Sequence, residues 1–545
     1  MFKFKEFFST KATSQRERLP GTQQVANSAH GYVWQVDDWV RLDRFLILGS
    51  EGGTFYVSER KLTLENASAV AACITADGVR AVRRIVEVSQ AGRAPKNDAA
   101  IFALAMCAKL GDDATRGAAY EALAKVCRIG THLMQFAEYA QGFGGWGRGM
   151  RKAVAGWFND KPASELAYQL VKYQSRNGWS NRDLLRLAHP RAASPSHDRL
   201  FSWITKGALS EDITSDASLA ILVAMEEAKR VSQVKDIVRL VRAHNLPREA
   251  LPTPWLTLPE VWEALLAEMP MTAMLRNLAT MTRIGLLSTG SAATQLVCER
   301  LTDGRRLHKA RLHPVGVLAA LLTYRSGHSA RGQSSWRANG KIVDALDAAF
   351  YRSFKSLEPA GKRMLLALDV SGSMSLGTIA GIPGLSPRVG SAAMSLVTAA
   401  TEPNHAFVAF TAAAGGYGGQ WGGGPSGITP LAISARQRLD DVVREVSRLP
   451  MGGTDCALPM IWAQKERCDF DTFVIYTDNE TWAGSVHPAQ ALRAYREARG
   501  IPAKLVVVGM TSNGFSIADP QDAGMMDVVG FDTATPPVIS DFARA

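Results

Sequence analysis

Between residues 60 and 350, apolar positions recur at helical spacing in runs of about 10–18 residues, separated by short Gly, Pro, Asn or Ser breaks. The pattern predicts helices over Asn97–Leu110, Thr115–Ile129, Ser164–Ser175, Ser215–Val231 and Lys341–Phe354. Many successive helical stretches with no strand signal between them predict a helical-repeat solenoid, although no tight sequence repeat accompanies them. After Gly361 the period changes. Apolar runs at Met364–Val370, Ala406–Thr411, Thr472–Thr477 and Ala503–Val508 alternate with helical patterns near Val389–Ala400, Arg436–Ser447, Ala457–Gln464 and Pro488–Ala498. This alternation predicts a doubly wound parallel sheet with helices on both faces. The fold class is therefore α plus α/β.

The same pattern sets the domain boundaries. Residues 1–20 are polar and basic and read as a mobile tail, 21–360 as the helical region, and 361–545 as the α/β domain. Residues 413–427 hold eight glycines around Tyr417 and Trp421. They read as a flexible surface insertion and not a phosphate loop, because no Lys-Ser/Thr pair follows.

Six cysteines are spread over 545 residues without a CxxC pair, which argues against a disulfide framework or a thiolate zinc site and fits a reducing compartment. No apolar run reaches the length needed to span a bilayer, and the charged N-terminus does not resemble a secretory signal. The expectation is a cytoplasmic protein without membrane partners. Charge changes the picture more. The net charge is +11, yet residues 361–545 carry 14 Lys and Arg against 17 Asp and Glu, so the whole basic excess lies before them. A basic module joined to a near-neutral one points to a polyanion partner for the first, with a solvated charged surface as the plain alternative.

Two sets of residues carry candidate chemistry. In the α/β domain the buried run Met364–Leu368 ends in Asp369-Val-Ser371-Gly-Ser373, where one carboxylate and two hydroxyls converge at the carboxyl edge of a sheet. Gly452-Gly453-Thr454-Asp455 adds a hydroxyl beside two glycines, and Tyr476-Thr477-Asp478-Asn479-Glu480 repeats the strand-end carboxylate. All-oxygen ligands suit a hard divalent cation, Mg²⁺ foremost. The spacing resembles the metal-ion-dependent adhesion site of von Willebrand factor A domains. That resemblance assigns Ser371, Ser373 and Thr454 as hydroxyl ligands, with Asp369 and Asp478 binding directly or through water. Asp455 and Glu480 read as supporting or surface groups, and His487 as a cap or surface residue. A polar loop that has lost its metal is the plain alternative. A phosphoryl-transfer enzyme would place a second Asp where Ser371 stands, and no base accompanies Cys456, so ligand binding is favoured over catalysis.

In the helical region, Lys172 and Arg176 are four apart and share a helical face. Asn177-Gly178-Trp179 breaks that helix, and Ser180 with Asp183 starts the next, on which Arg182, Arg186 and His189 align. Arg148, Arg151 and Lys152 form a second cluster after Gly144-Gly145-Trp146-Gly147, and Arg305, Arg306, Lys309 and Arg311 a third. Long flexible cations suit phosphate. Each cluster alone could equally be a solvated face; His189 also reads as a helix-end residue, and Trp146 and Trp179 as packing anchors.

With these residues the chain resembles the Ro autoantigen family, which joins an RNA-binding TROVE module to a von Willebrand A domain, in a bacterial or phage form. The resemblance rests on Gly31-Tyr-Val-Trp-Gln-Val, Gly49 through Tyr56, Gly144-Gly-Trp-Gly-Arg, Lys172 through Ser180, Asp183-Leu-Leu-Arg-Leu, Gly452-Gly-Thr-Asp-Cys, Thr477-Asp-Asn-Glu-Thr and Gly509 through Phe515. It implies a ring of HEAT-like repeats closed by the A domain. It further implies a small noncoding Y-like RNA on the outer surface, and the single-stranded 3′ ends of misfolded RNAs in a central hole, for RNA quality control in a ribonucleoprotein. The Y RNA patch of the family maps onto Lys172, Arg176 and His189, with Arg182 and Arg186 as neighbours. A partnership with an exoribonuclease such as polynucleotide phosphorylase comes with the resemblance as an expectation. The rival class is a metal-dependent adhesion or chaperone-type scaffold with no RNA role, which the charge division and the Lys172–His189 patch disfavour. A metal-dependent hydrolase is a second rival.

Overall fold

The computed structural model describes residues 12–49, 67–329, 333–354, 358–379, 382, 384–412, 427–449 and 451–545. Two compact units result: Val70–Ser353, and Met1–Ala69 together with Phe354–Ala545. The compact units divide the chain differently from the boundaries read in sequence, because described residues before Val70 group with the α/β domain.

The Val70–Ser353 unit is helical throughout its length apart from one small hairpin and an isolated bridge among its described residues. Helix Asp98–Leu110 is apolar all round, with Ala99 through Ala108 buried, as a helix enclosed by neighbours must be. It packs on Gly130–Gly144, while Ala163–Lys172 packs on Pro195–Lys206 and Ala220–Ala228. The expected helices are present with trimmed ends. Thr115–Ile129 divides into Asp113–Glu121 and Leu123–Val126, and Ser215–Val231 shortens to a 3₁₀ turn and Ala220–Ala228. Early and late parts of this unit meet directly: the backbone carbonyl of Arg93 lies 2.9 Å from His313 Nε2.

Helix Ser164–Ser175 is the main error of local reading. It ends at Lys172, and Ser175–Arg176 pairs antiparallel with Trp179–Ser180 across Asn177-Gly178. Both turn residues have positive φ (52° and 78°), the geometry of a two-residue hairpin that Asn-Gly favours. Arg176 therefore stands on a hairpin, and its alignment with Lys172 on one helical face is wrong.

In the other unit, six strands form one sheet. In chain order they are β1 (Met364–Asp369), β2 (His405–Phe410), β3 (Ile428–Leu431), β4 (Thr472–Thr477), β5 (Lys504–Gly509) and β6 (Met525–Val529). Their spatial order is β6-β5-β4-β1-β2-β3, all parallel except β3, which pairs antiparallel with β2 at the edge. β1 and β4 are buried along their whole length, which is why they read as continuous apolar runs. Asp369 pairs with Phe410, and Leu368 with Tyr476, so β1 and β4 end at one edge of the sheet. Helix Pro387–Thr401 covers one face, where Thr398 Oγ1 meets the Tyr476 hydroxyl at 2.8 Å.

The N-terminal segment belongs to this unit's interior. Residues 1–11 lie outside the described residues, but 12–20 do not form the expected mobile tail. Gln15 is fully buried, and Leu19, Val33 and Trp34 join the hydrophobic core under the sheet. Tyr32–Gln35 pairs with Val25–Ala26 on one side and Phe515–Ser516 on the other. Arg44, also buried, donates to the backbone oxygens of Asn513 (2.6 Å) and Phe515 (2.7 Å) and pairs with Asp527. The insertion at 413–427 lies outside the described residues except Gly427, whose carbonyl accepts from Thr411 N at 2.8 Å. Most of the segment from Gly49 through Tyr56 lies outside them as well.

Candidate functional site

At the carboxyl edge of β1 and β4, all five expected metal ligands are buried: Asp369, Ser371, Ser373, Thr454 and Asp478. Asp369 accepts from Ser371 N (2.8 Å) through one oxygen and from Thr477 Oγ1 (2.7 Å) through the other. The two serine hydroxyls lie 3.0 Å apart. Gly372 N donates to Gly452 O at 3.1 Å, which brings the loop carrying Thr454 beside the serines. Asp478 accepts from Glu480 N through Oδ1 (3.2 Å), while its Oδ2 is buried without a hydrogen-bond partner.

Burial pushes the Asp369 and Asp478 carboxyls above the ordinary carboxylate range, and the charge of Asp369 raises Asp478 further. Burial and then Asp478 raise Glu480 to about 8; burial alone accounts for the rise of Asp455 to about 6. Two desolvated carboxylates and an unpartnered oxygen are what a hard cation would neutralise. The hydroxyl-rich donor set fits Mg²⁺.

Three residues near the edge were given no role from sequence, although Thr477 stands inside the strand-end motif. Thr477 fixes Asp369 as above, Thr411 Oγ1 donates to Gly453 O at 2.8 Å, and Arg388 reaches the backbone oxygens of Val370 and Ser371. For three others the structure chooses between the alternatives left open: Asp455 and Glu480 are buried supporting groups and not surface ones, and His487, fully buried, is the N-cap of helix Pro488–Arg499. The reason is the N-terminal segment. Gln15 Nε2 donates to Asp455 Oδ1 (2.7 Å), Glu17 O lies 2.8 Å from His487 Nε2, and Thr481 Oγ1 donates to Gln15 Oε1 (2.6 Å).

The basic residues belong to the helical unit. Arg182 and Arg186 are exposed on helix Asn181–Ala188, which opens with the expected Ser180–Asp183 capping box. His189 caps its C-terminus in the left-handed conformation (φ 48°) and is exposed, the helix-end position. The hairpin that carries Arg176 is held by Asn181 Nδ2 on Tyr173 O (2.8 Å) and by Asn177 on Glu138. Lys172 is half-buried, with Nζ 5.4 and 5.5 Å from the ring centroids of Tyr168 and Tyr173. Arg148, Arg151 and Lys152 are exposed on helix Arg148–Asn159, which packs against Asn181–Ala188. Trp146 and Trp179 join the two neighbourhoods, their centroids 5.9 Å apart. The structure thus places the first and second basic clusters on adjoining elements. None of Arg148, Arg151, Lys152, Lys172, Arg176, Arg182 or Arg186 forms an ion pair among the described residues. Elsewhere in the unit, Arg116, Arg199 and Arg239 each pair with a carboxylate. The third cluster is partly neutralised, because Arg306 pairs with Asp303 at 3.2 Å.

These features define a two-part chain, a helical TROVE module joined to a von Willebrand A domain. The family model for the TROVE domain matches residues 25–229 and 238–323, and that for the Ro60 vWA domain matches 363–543. The chain belongs to the Ro60 family. It is 42% identical over 532 residues to the RNA-binding protein RO60 of Deinococcus radiodurans, covering 97% of each chain. It is 36% identical to the Caenorhabditis elegans protein of the same name, over 95% of this chain and 90% of that one. Among solved structures, the crystal structure of the Deinococcus radiodurans RO (RSR) protein matches with a TM-score of 0.69 and 41% identity, over 93% of this chain and 99% of that one. The family model for TROVE begins at residue 25, whereas the compact helical unit begins at Val70, so the module's first residues fold with the A domain.

Proposed function

We propose that this chain is a non-catalytic RNA-binding protein of the cytoplasm. Its helical unit holds a small, structured Y-like RNA through phosphate contacts, and it engages single-stranded 3′ ends of misfolded RNAs for quality control. The observation that carries this is the set of seven exposed or half-exposed cations without ion-pair partners on adjoining elements. Unpaired Arg and Lys on one surface are what phosphate backbones demand. The names of both relatives support it, since each is called an RNA-binding protein. An exoribonuclease partner such as polynucleotide phosphorylase fits the same role. Isolation of the protein from its own cells, followed by sequencing of co-purifying RNA, should return structured small RNAs. Recovery of only ribosomal and messenger fragments in proportion to their abundance would contradict the proposal.

In the A domain, Asp369, Ser371, Ser373, Thr454 and Asp478 would hold a divalent cation, Mg²⁺. Held there, such an ion would supply positive charge for an acidic group of a partner. This chain's residues prepare the place: Thr477 and the Ser371 amide orient Asp369, and the buried free oxygen of Asp478 awaits a positive charge. Mg²⁺ at a hundredfold excess over its Kd should stabilise the fold by about 2.7 kcal/mol. A rise in melting temperature that disappears in Asp478→Asn is the expected result; no rise in the unaltered chain would remove the metal from the account.

A further inference from the structure

Beside the cationic surface, the helical unit has an open cleft of about 500 Å³, within the range of small-molecule sites of roughly 300–1,000 Å³. Its floor is apolar and buried, formed by Ile204, Met225 and Leu251 from three successive parts of the unit. Trp203, half-buried on helix Pro195–Lys206, supplies an aromatic wall. The rim is polar but close to neutral, because its acids have cationic neighbours. Glu226 pairs with Lys229 at 2.5 Å and Glu249 with Arg248 at 3.1 Å. Arg182 lines the same cleft and has no ion-pair partner among the described residues, so one residue belongs both to the cleft and to the cationic surface.

We infer that this cleft receives a single unstacked nucleobase of the RNA held on the neighbouring cations. The inference rests on the RNA-binding reading above and deepens it. A phosphate would not settle in an apolar cleft whose rim charges are already balanced. A planar, uncharged base suits it, stacked on an aromatic wall while its own phosphates stay with Arg182 and Arg186 outside. The rim carboxylates and the Gln174 amide give hydrogen-bond partners for a base edge, and a carboxylate accepts from the exocyclic amine of cytosine or adenine. A duplex cannot present such a base, so the cleft would select RNA with an unpaired nucleotide next to a paired stem.

The test compares two labelled RNA hairpins by fluorescence anisotropy. One carries a single unpaired adenosine in its stem, and the other an abasic residue at that position. The unaltered protein should bind the first about tenfold more tightly, the size of one base–aromatic stack. Trp203→Ala should bind both as weakly as the abasic hairpin, and Trp203→Phe should keep most of the preference. Lys172→Ala with Arg176→Ala should weaken both hairpins by the same factor and leave their ratio intact. Equal binding of the two hairpins by the unaltered protein overturns the cleft assignment while sparing the RNA-binding reading. Equal weakening of both by Trp203→Ala overturns it too, since that is the mark of a structural residue. Binding of neither hairpin by the unaltered protein overturns both readings.

Discussion

At Gln15 a single amide satisfies groups from two loops. It donates to Asp455 and to Val486 O, accepts from Thr481, and its backbone pairs with Gly484 and Tyr32. Nothing in a basic, polar N-terminal stretch announces such a residue, because burial of an amide depends on partners more than 400 positions away. The metal-edge residues lie at the other extreme of legibility. Asp369 and Asp478 each end an apolar strand, and a polar break at the end of a buried run is visible in sequence whatever the tertiary fold. Thr477, though inside the motif, and Arg388 were given no role because their role lies in what they touch. Gln15→Ala should strand the Asp455 carboxyl and the Thr481 hydroxyl and lower unfolding free energy by about 1–3 kcal/mol, read by denaturant titration. A change within error would mean that the N-terminal segment contributes nothing to this unit.

Elements differ in how far their local signals reach. Four of the five parallel strands were readable almost to the residue; β4, for one, occupies Thr472–Thr477 as expected. Short, half-exposed strands such as β3 and β6 carry no long apolar run and were missed. The Asn177-Gly178 hairpin was misread for a different reason. An Asn-Gly pair marks both a helix stop and a two-residue turn, and the flanking strands are only two residues long. The turn, and not a helix, therefore presents Arg176, one of the residues proposed to hold RNA. Gly178→Ala would force a residue with a Cβ into positive φ at a cost of about 1–2 kcal/mol. The expected outcome is a weakened RNA complex with helix content unchanged by circular dichroism. Unaltered affinity would show that the hairpin's geometry does not matter to binding.

Across the whole molecule, the charge division seen in the sequence persists between the compact units. The Val70–Ser353 unit holds 38 Lys and Arg against 25 Asp and Glu, and the other unit 24 against 26. The net charges of +13 and −2 stay close to the +14 and −3 on either side of residue 361 in the sequence. One unit is strongly basic, and the other carries the buried carboxylates of the sheet edge. That partition was visible in composition; the adjacency of the Arg148 and Arg182 helices was not, because it depends on helix packing across a hairpin.

The central claim is that unpaired cations on the helical unit hold RNA by its phosphates. Its most direct test is the salt dependence of binding to a small structured RNA, measured for the full chain and for Lys172→Ala with Arg176→Ala. Affinity should fall steeply with salt in the unaltered protein, and the double substitution should reduce the log–log slope by roughly one unit for each phosphate contact removed. The same affinity and the same slope in a correctly folded double variant would contradict the account.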